Sequence, residues 1–135
     1  MAYSNHDQSI NLLDKGMGQV IAAVVHHCKG DEVSTFWIAV SLIENYDMRK
    51  FFQPGLPGIA LYGECLDSLI QRHLPDVAAI FKKLNITYFD YFESWIHELF
   101  TSHVPLSLLE DFFSKFLKDG WGFFFRVCLT ILLSL

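Results

Sequence analysis

Cysteine is scarce and scattered in this chain. Cys28, Cys65 and Cys128 are odd in number, lie far apart and form no CxxC, so neither a disulfide framework nor a zinc site is suggested; a reducing, intracellular compartment is expected. Basic runs are missing as well. The longest is the pair Lys82-Lys83, and the net charge is −5, so no electrostatic footprint for nucleic acid exists. No apolar run reaches the roughly 20 residues needed to cross a bilayer. The nearest, Trp121 to Leu135, has 15 residues and contains Arg126, and it reads as a buried core helix rather than a transmembrane segment. Met1 to Gln8 are polar and lack a basic-then-apolar signal layout, so no export is expected.

What is abundant is apolar surface. The 135 residues are 52% hydrophobic and include 13 Phe and 3 Trp, against a charged share of 19%. A chain of this length folds as one domain, with residues 1 to 9 as a polar tail, and it carries more apolar side chains than one small core readily hides. A partner protein or second chain is therefore expected to cover part of the surface.

The periodicities are helical. Met17, Val20, Ile21, Val24, Val25 and Cys28 form one apolar stripe, which Gly30 stops. Asp31 offers an N-cap for a second helix through Phe36, Trp37, Val40, Ile43 and Tyr46, apolar around most of its circumference and so expected in the middle of a bundle. Gln53-Pro54-Gly55-Leu56-Pro57-Gly58 reads as a non-helical connector. Further helices are expected over Ile59–Leu74, Asp76–Leu84, Tyr88–Phe100, Leu106–Leu117 after Pro105, and from Gly120 to the chain end. No stretch alternates with period two for long. The expectation is an all-α, single compact domain of about seven helices, with Phe36, Trp37, Trp95, Phe100 and Phe125 largely buried. The bare apolar surface is expected on the helix of Val20, Ile21 and Val24 or on the helix from Trp121.

Catalytic motifs are wanting. His97-Glu98 begins like HExxH, but Thr101 holds the second histidine's place, so the i, i+4 ligand pair is absent. His26 and His27 are adjacent and diverge by about 100° on a helix, a poor ligand geometry. They read as a surface histidine beside a half-buried one. Gly16-Met17-Gly18 starts like a dinucleotide loop, yet Ile21 stands where a third glycine belongs and no strand precedes it. There is no GxxxxGK[ST] loop to give Lys15 a phosphate cradle, and no GxSxG elbow. Glu110-Asp111 sit early in a helix, where negative charge suits the dipole. No metal and no cofactor are implied.

A set of short motifs does stand out, in fixed order: Gly16-Met17 opening an apolar helix; Phe36-Trp37; Phe52 through Gly58; Leu66-Asp67-Ser68-Leu69-Ile70 before His73-Leu74-Pro75; Trp95 and Leu99-Phe100 before Val104-Pro105-Leu106; and Phe116 through Trp121 before Phe125-Arg126-Val127. From about Ile10 to Leu135 this resembles the TBC domain of Rab GTPase-activating proteins. The resemblance implies an all-helical fold and a Rab-family small GTPase as partner, in the cytoplasm and peripheral to endomembranes where vesicles are trafficked.

TBC proteins supply two fingers in trans, an arginine from IxxDxxR and a glutamine from YxQG. The first neutralises charge on the transferred phosphoryl group and the second orients the attacking water. Nothing in residues 1 to 16 reads IxxDxxR, so the domain is expected to be truncated at its N-terminus. In the second motif Leu13 stands for the tyrosine and Lys15 for the glutamine, ahead of the matching Gly16-Met17. Phe113 and Ser114 replace the tryptophan and aspartate of the family's IWD. Lys15, Gly16 and Met17 are thus the candidate GTPase-binding residues. Lysine has three donors and no acceptor, so it attracts phosphate but does not reproduce an amide that also accepts. The expectation is a GTPase-binding module, impaired in catalysis and not itself an enzyme. The alternative is a TBC-derived scaffold with no GTPase contact.

Overall fold

A computed structural model describes residues 15–52 and 57–135. The polar tail, Leu13 and the connector residues 53–56 lie outside the described residues. Eight α-helices follow one another among the described residues: α1 Lys15–His27, α2 Glu32–Glu44, α3 Arg49–Phe52, α4 Pro57–His73, α5 Pro75–Lys83, α6 Phe92–Glu98, α7 Leu106–Asp119 and α8 Trp121–Leu133. A 3₁₀ turn at Tyr88–Asp90 precedes α6, and no strand occurs among these residues. The all-α class expected from the sequence is the class observed.

Local chemistry explains the breaks. At the end of α1 the Gly30 amide donates to the Val25 carbonyl and the Lys29 amide to His26, a Schellman pattern in which Lys29 takes the left-handed conformation (φ 55°) beside Gly30 (φ 83°). Asp31 caps α2 by accepting from the Val33 amide, and it also accepts from the Ser34 hydroxyl. Those bonds, the Ser34 hydroxyl first, hold its carboxyl below the usual range. Pro75 opens α5 at the first-turn position that tolerates a missing amide donor. Gly120, with φ 69°, separates α7 from α8 in a conformation that ordinary side chains resist.

Packing is organised around α1 and α4. Helix α1 lies against α2, α6 and α7, while α4 lies against α3, α5, α6 and α8. Between them sits an aromatic core in which Phe51, Phe92, Phe100, Phe113, Phe116 and Phe124 are fully buried. Phe100 and Phe124 stack with centroids 4.9 Å apart, and Trp121 meets Phe116 and Phe124 edge-on at 5.1 Å each. Two hydrogen bonds tie distant segments together. The Tyr46 hydroxyl donates to the Leu117 carbonyl at 2.7 Å, and the Trp121 indole N–H donates to the Tyr46 carbonyl at 2.7 Å.

Several expectations are corrected by the structure. Pro57 and Gly58 are helical, because a proline at the first helical position loses no intrahelical bond. The span Tyr88–Phe100 is not one helix. Thr87 and Asp90 form a capping box that closes a 3₁₀ turn, and α6 stops where Leu99 (φ 48°) and Phe100 (φ 62°) become left-handed. Both of those side chains are fully buried, which holds a conformation that costs such residues about 1–2 kcal/mol each. The short α3 carries no sequence signal beyond Phe51-Phe52. Helix α2 lies at the edge of the molecule rather than its middle: Trp37 is 63% exposed and Phe36 38%. Phe100 is buried as expected, whereas Trp95 and Phe125 are half-buried. Val20 and Val24 are buried, so of their stripe only Val25, 40% exposed, is bare, while Val33, Phe36 and Trp37 of α2 are exposed as well. Helix α8 buries Phe124, Cys128 and Leu132 and leaves Leu133 exposed, as is Leu135 beyond its end.

Candidate functional site

The candidate residues open α1. Lys15 is its first residue, Gly16 is buried, and Met17, 3% exposed, sends its side chain into the core. Met17 therefore anchors the end of the helix rather than offering a contact surface. Helix α6 packs against α1, and this brings the 3₁₀ turn and α6 beside Gly16. The result is an open concavity of about 370 Å³ walled by Gly16, Phe89, Asp90, Glu93, Ser94, His97 and Glu98.

Three of those wall residues, Asp90, Glu93 and Glu98, are acidic, and they lie beside the N-terminal end of α1, the positive end of its dipole. Asp90 is held in place by accepting from the Thr87 amide at 2.7 Å and from its hydroxyl. The His97 ring packs on Phe52 with centroids 4.8 Å apart. Phe89 projects at the rim, 56% exposed, against Tyr88. The Ser94 hydroxyl in this wall lies 3.5 Å from Nε2 of the exposed His103, a long contact, and no metal-holding group of histidine, cysteine or carboxylate residues occurs among the described residues.

Sequence reasoning missed these wall residues, although a signal existed. Asp90, Glu93 or Ser94, and His97 recur at helical spacing, and His97-Glu98 stands out in the sequence only as a failed zinc motif. Elsewhere most of the readings hold. His26 is exposed and His27 half-buried against Phe113, at 6.3 Å. Phe113 is buried while Ser114 is exposed, but Glu110 and Asp111, exposed on α7, fall beyond its first turn, so the expected favourable placement at the helix dipole is not made. Burial pushes the Cys128 thiol up, so it is an inert core group. No helix among the described residues is long and apolar enough to cross a membrane.

The family model for the Rab-GTPase-TBC domain matches residues 1–135, the whole chain. The chain belongs to this TBC family. Among curated relatives it is 29% identical over 131 residues to the Rab GTPase-activating protein eat-17 of Caenorhabditis elegans, which covers 97% of this chain and 14% of that protein. It is 27% identical to the ecotropic viral integration site 5 ortholog of Drosophila melanogaster, covering 98% of this chain and 16% of that one. It is 26% identical to the GTPase-activating protein GYP5 of Saccharomyces cerevisiae, covering 98% and 14%. The TBC chain thus spans about a seventh of the length of these relatives. No solved structure matches it. One expectation is overturned here. Relatives across the whole chain are named as GTPase-activating proteins, so the reading of this TBC chain as a non-enzyme is withdrawn.

Proposed function

We propose that this TBC chain is a GTPase-activator-type module that engages a Rab-family small GTPase through the N-terminal end of α1. It acts inside the cell, on the cytoplasmic side of endomembranes, in vesicle trafficking. The observation that supports the reading is the family match over residues 1–135, together with the place of Lys15 and Gly16 as the first two residues of α1, Gly16 lining an open concavity. Lys15 occupies the place of the glutamine finger. There it sets a donor-only cation next to the bound nucleotide's phosphates, where an amide would otherwise position water. Gly16 keeps the approach to the helix end free of a side chain, and Met17 fixes that end to the core.

The test is retention of GTP-loaded against GDP-loaded Rab proteins by the immobilised chain, read beside single-turnover phosphate release. Selective retention of a GTP-loaded form is expected. Charge reversal in Lys15→Glu is expected to weaken that retention at least about tenfold, because two opposed charges near 4 Å interact by about 4 kcal/mol at a protein surface. Lys15→Gln is expected to change it by less than about threefold. Retention that ignores the nucleotide state, or no retention across the panel, favours the scaffold reading without GTPase contact.

A further inference from the structure

Tyr88 and Phe89 are adjacent aromatics on the 3₁₀ turn, where successive side chains diverge by about 120°, so one ring can face the molecule while the other leaves it. Hydropathy would send the phenylalanine inward. Instead Tyr88 packs against the core, and Phe89 stands exposed with Tyr88, at 4.5 Å, as its one ring neighbour among the described residues. Three features hold it so. The Thr87–Asp90 capping box closes the turn, with the Asp90 carboxylate accepting from the Thr87 amide at 2.7 Å. The Tyr88 ring is seated on Gly63 of α4, so closely that a Cβ there would lie 2.4 Å from it. The turn as a whole packs against both α4 and α6. An exposed apolar residue on a regular helix, such as Leu108 on α7, calls for no explanation, whereas a phenylalanine fixed outward on a braced turn does.

Its position supplies one. Phe89 lines the same concavity as Gly16, the second residue of α1, and so belongs to the surface that adjoins the candidate GTPase-binding residues. We propose that Phe89 is an apolar contact residue for the small GTPase, covered in the complex by an aliphatic side chain of the GTP-loaded partner. The inference rests on the GTPase reading and adds to it the residue on which the partner's apolar surface sits. Preorganisation favours Phe89 for this role. A ring already fixed by its turn loses little conformational freedom on association, so little of the contact energy is spent on ordering it. The surroundings fit as well: interfaces concentrate their energy in a few aromatic anchors with polar groups around them, and Asp90, Glu93 and Ser94 line the concavity beside Phe89.

The test immobilises the full chain and titrates it with GTP-loaded Rab proteins, reading affinity and dissociation rate by biolayer interferometry and the melting temperature of every variant. Phe89→Ala is expected to weaken binding of a retained Rab at least about tenfold, mostly through faster dissociation. Its melting temperature is expected to stay within about 2 °C of the wild type, because the ring is in solvent. Phe89→Leu keeps an apolar side chain at the rim and is expected to recover most of the lost affinity. Trp37→Ala removes a larger exposed ring from α2, outside the concavity, and is expected to change binding by less than about twofold. If the wild type binds no GTP-loaded Rab, the GTPase reading itself fails and this inference with it. If the wild type binds and Phe89→Ala binds equally well, the inference fails alone. An equal loss in Trp37→Ala overturns it too, since that marks unspecific apolar adhesion, and so does a fall in melting temperature that accompanies the loss in Phe89→Ala, since that marks a structural ring.

Discussion

Phe100, Phe116 and Phe124 are fully buried, while Phe36 and Trp37, no less apolar, stand 38% and 63% exposed on the outer side of α2. The buried three sit on segments gripped from several directions. Phe124 alone meets the rings of Phe92, Phe100, Phe116, Trp121 and Phe125. The exposed pair meet mainly each other, edge to face at 5.3 Å. Burial thus follows the number of elements that converge on a side chain and not its hydropathy: on α2, with one chief neighbour, Ala39, Leu42 and Ile43 are buried while Phe36 and Trp37 are left on the surface.

That contrast is sharpest in truncation. Phe124→Ala is expected to cost about 3–5 kcal/mol, since a cavity opens among rings that have no room to collapse. Trp37→Ala is expected to cost below about 1 kcal/mol, as a substitution in solvent does. Urea unfolding of the two variants side by side measures both; comparable losses would show that α2 is packed as the core is. A smaller effect is expected from overfilling. A Cβ on Gly63 would lie 2.4 Å from the Tyr88 ring, so Gly63→Ala must push that ring aside at about 1–3 kcal/mol. The same change at Gly18, with nothing within 4 Å, is expected to be neutral or mildly stabilising. Smaller again is Tyr46→Phe. It leaves the Leu117 carbonyl without the hydroxyl that bonds it at 2.7 Å, and about 1 kcal/mol is expected in thermal unfolding.

Much of this was legible in the sequence. The α1 stripe, the Asp31 cap and the proline at the start of α5 are local chemistry, and local chemistry is written in adjacent residues. The motifs Gly16-Met17, Phe36-Trp37 and Phe116 through Trp121 carried the family. What escaped was what depends on neighbours distant in sequence. The left-handed Leu99 and Phe100 are held by burial against other helices, and no propensity announces them. The concavity at Gly16 exists because α6 packs on α1, and the two lie some seventy residues apart in the chain. The edge position of α2 is hidden for the same reason, because an apolar circumference says that cover is wanted without saying that cover is there.

The least of the expected effects concerns Asp67, at the boundary between core and solvent on α4. Partial burial raises its carboxyl above the ordinary value near 3.8, and the Glu64 carboxylate adds to the shift. A carboxyl whose pKa is raised on folding contributes stability that is fully present below its unfolded pKa and is lost as the pH climbs through the folded one. At neutral pH, then, the ionised Asp67 is a small liability. Asp67→Asn removes the charge and keeps the shape, so it is expected to raise the melting temperature at pH 7 by on the order of 1 °C, a modest figure because solvent screens a half-buried group. Near pH 3 the carboxyl is protonated in both states and the advantage is expected to vanish. Melting curves of wild type and variant across this window decide it: a gain at pH 3 equal to that at pH 7 would mean that the introduced amide acts through packing, and a loss at pH 7 would mean that the charge is favourably placed.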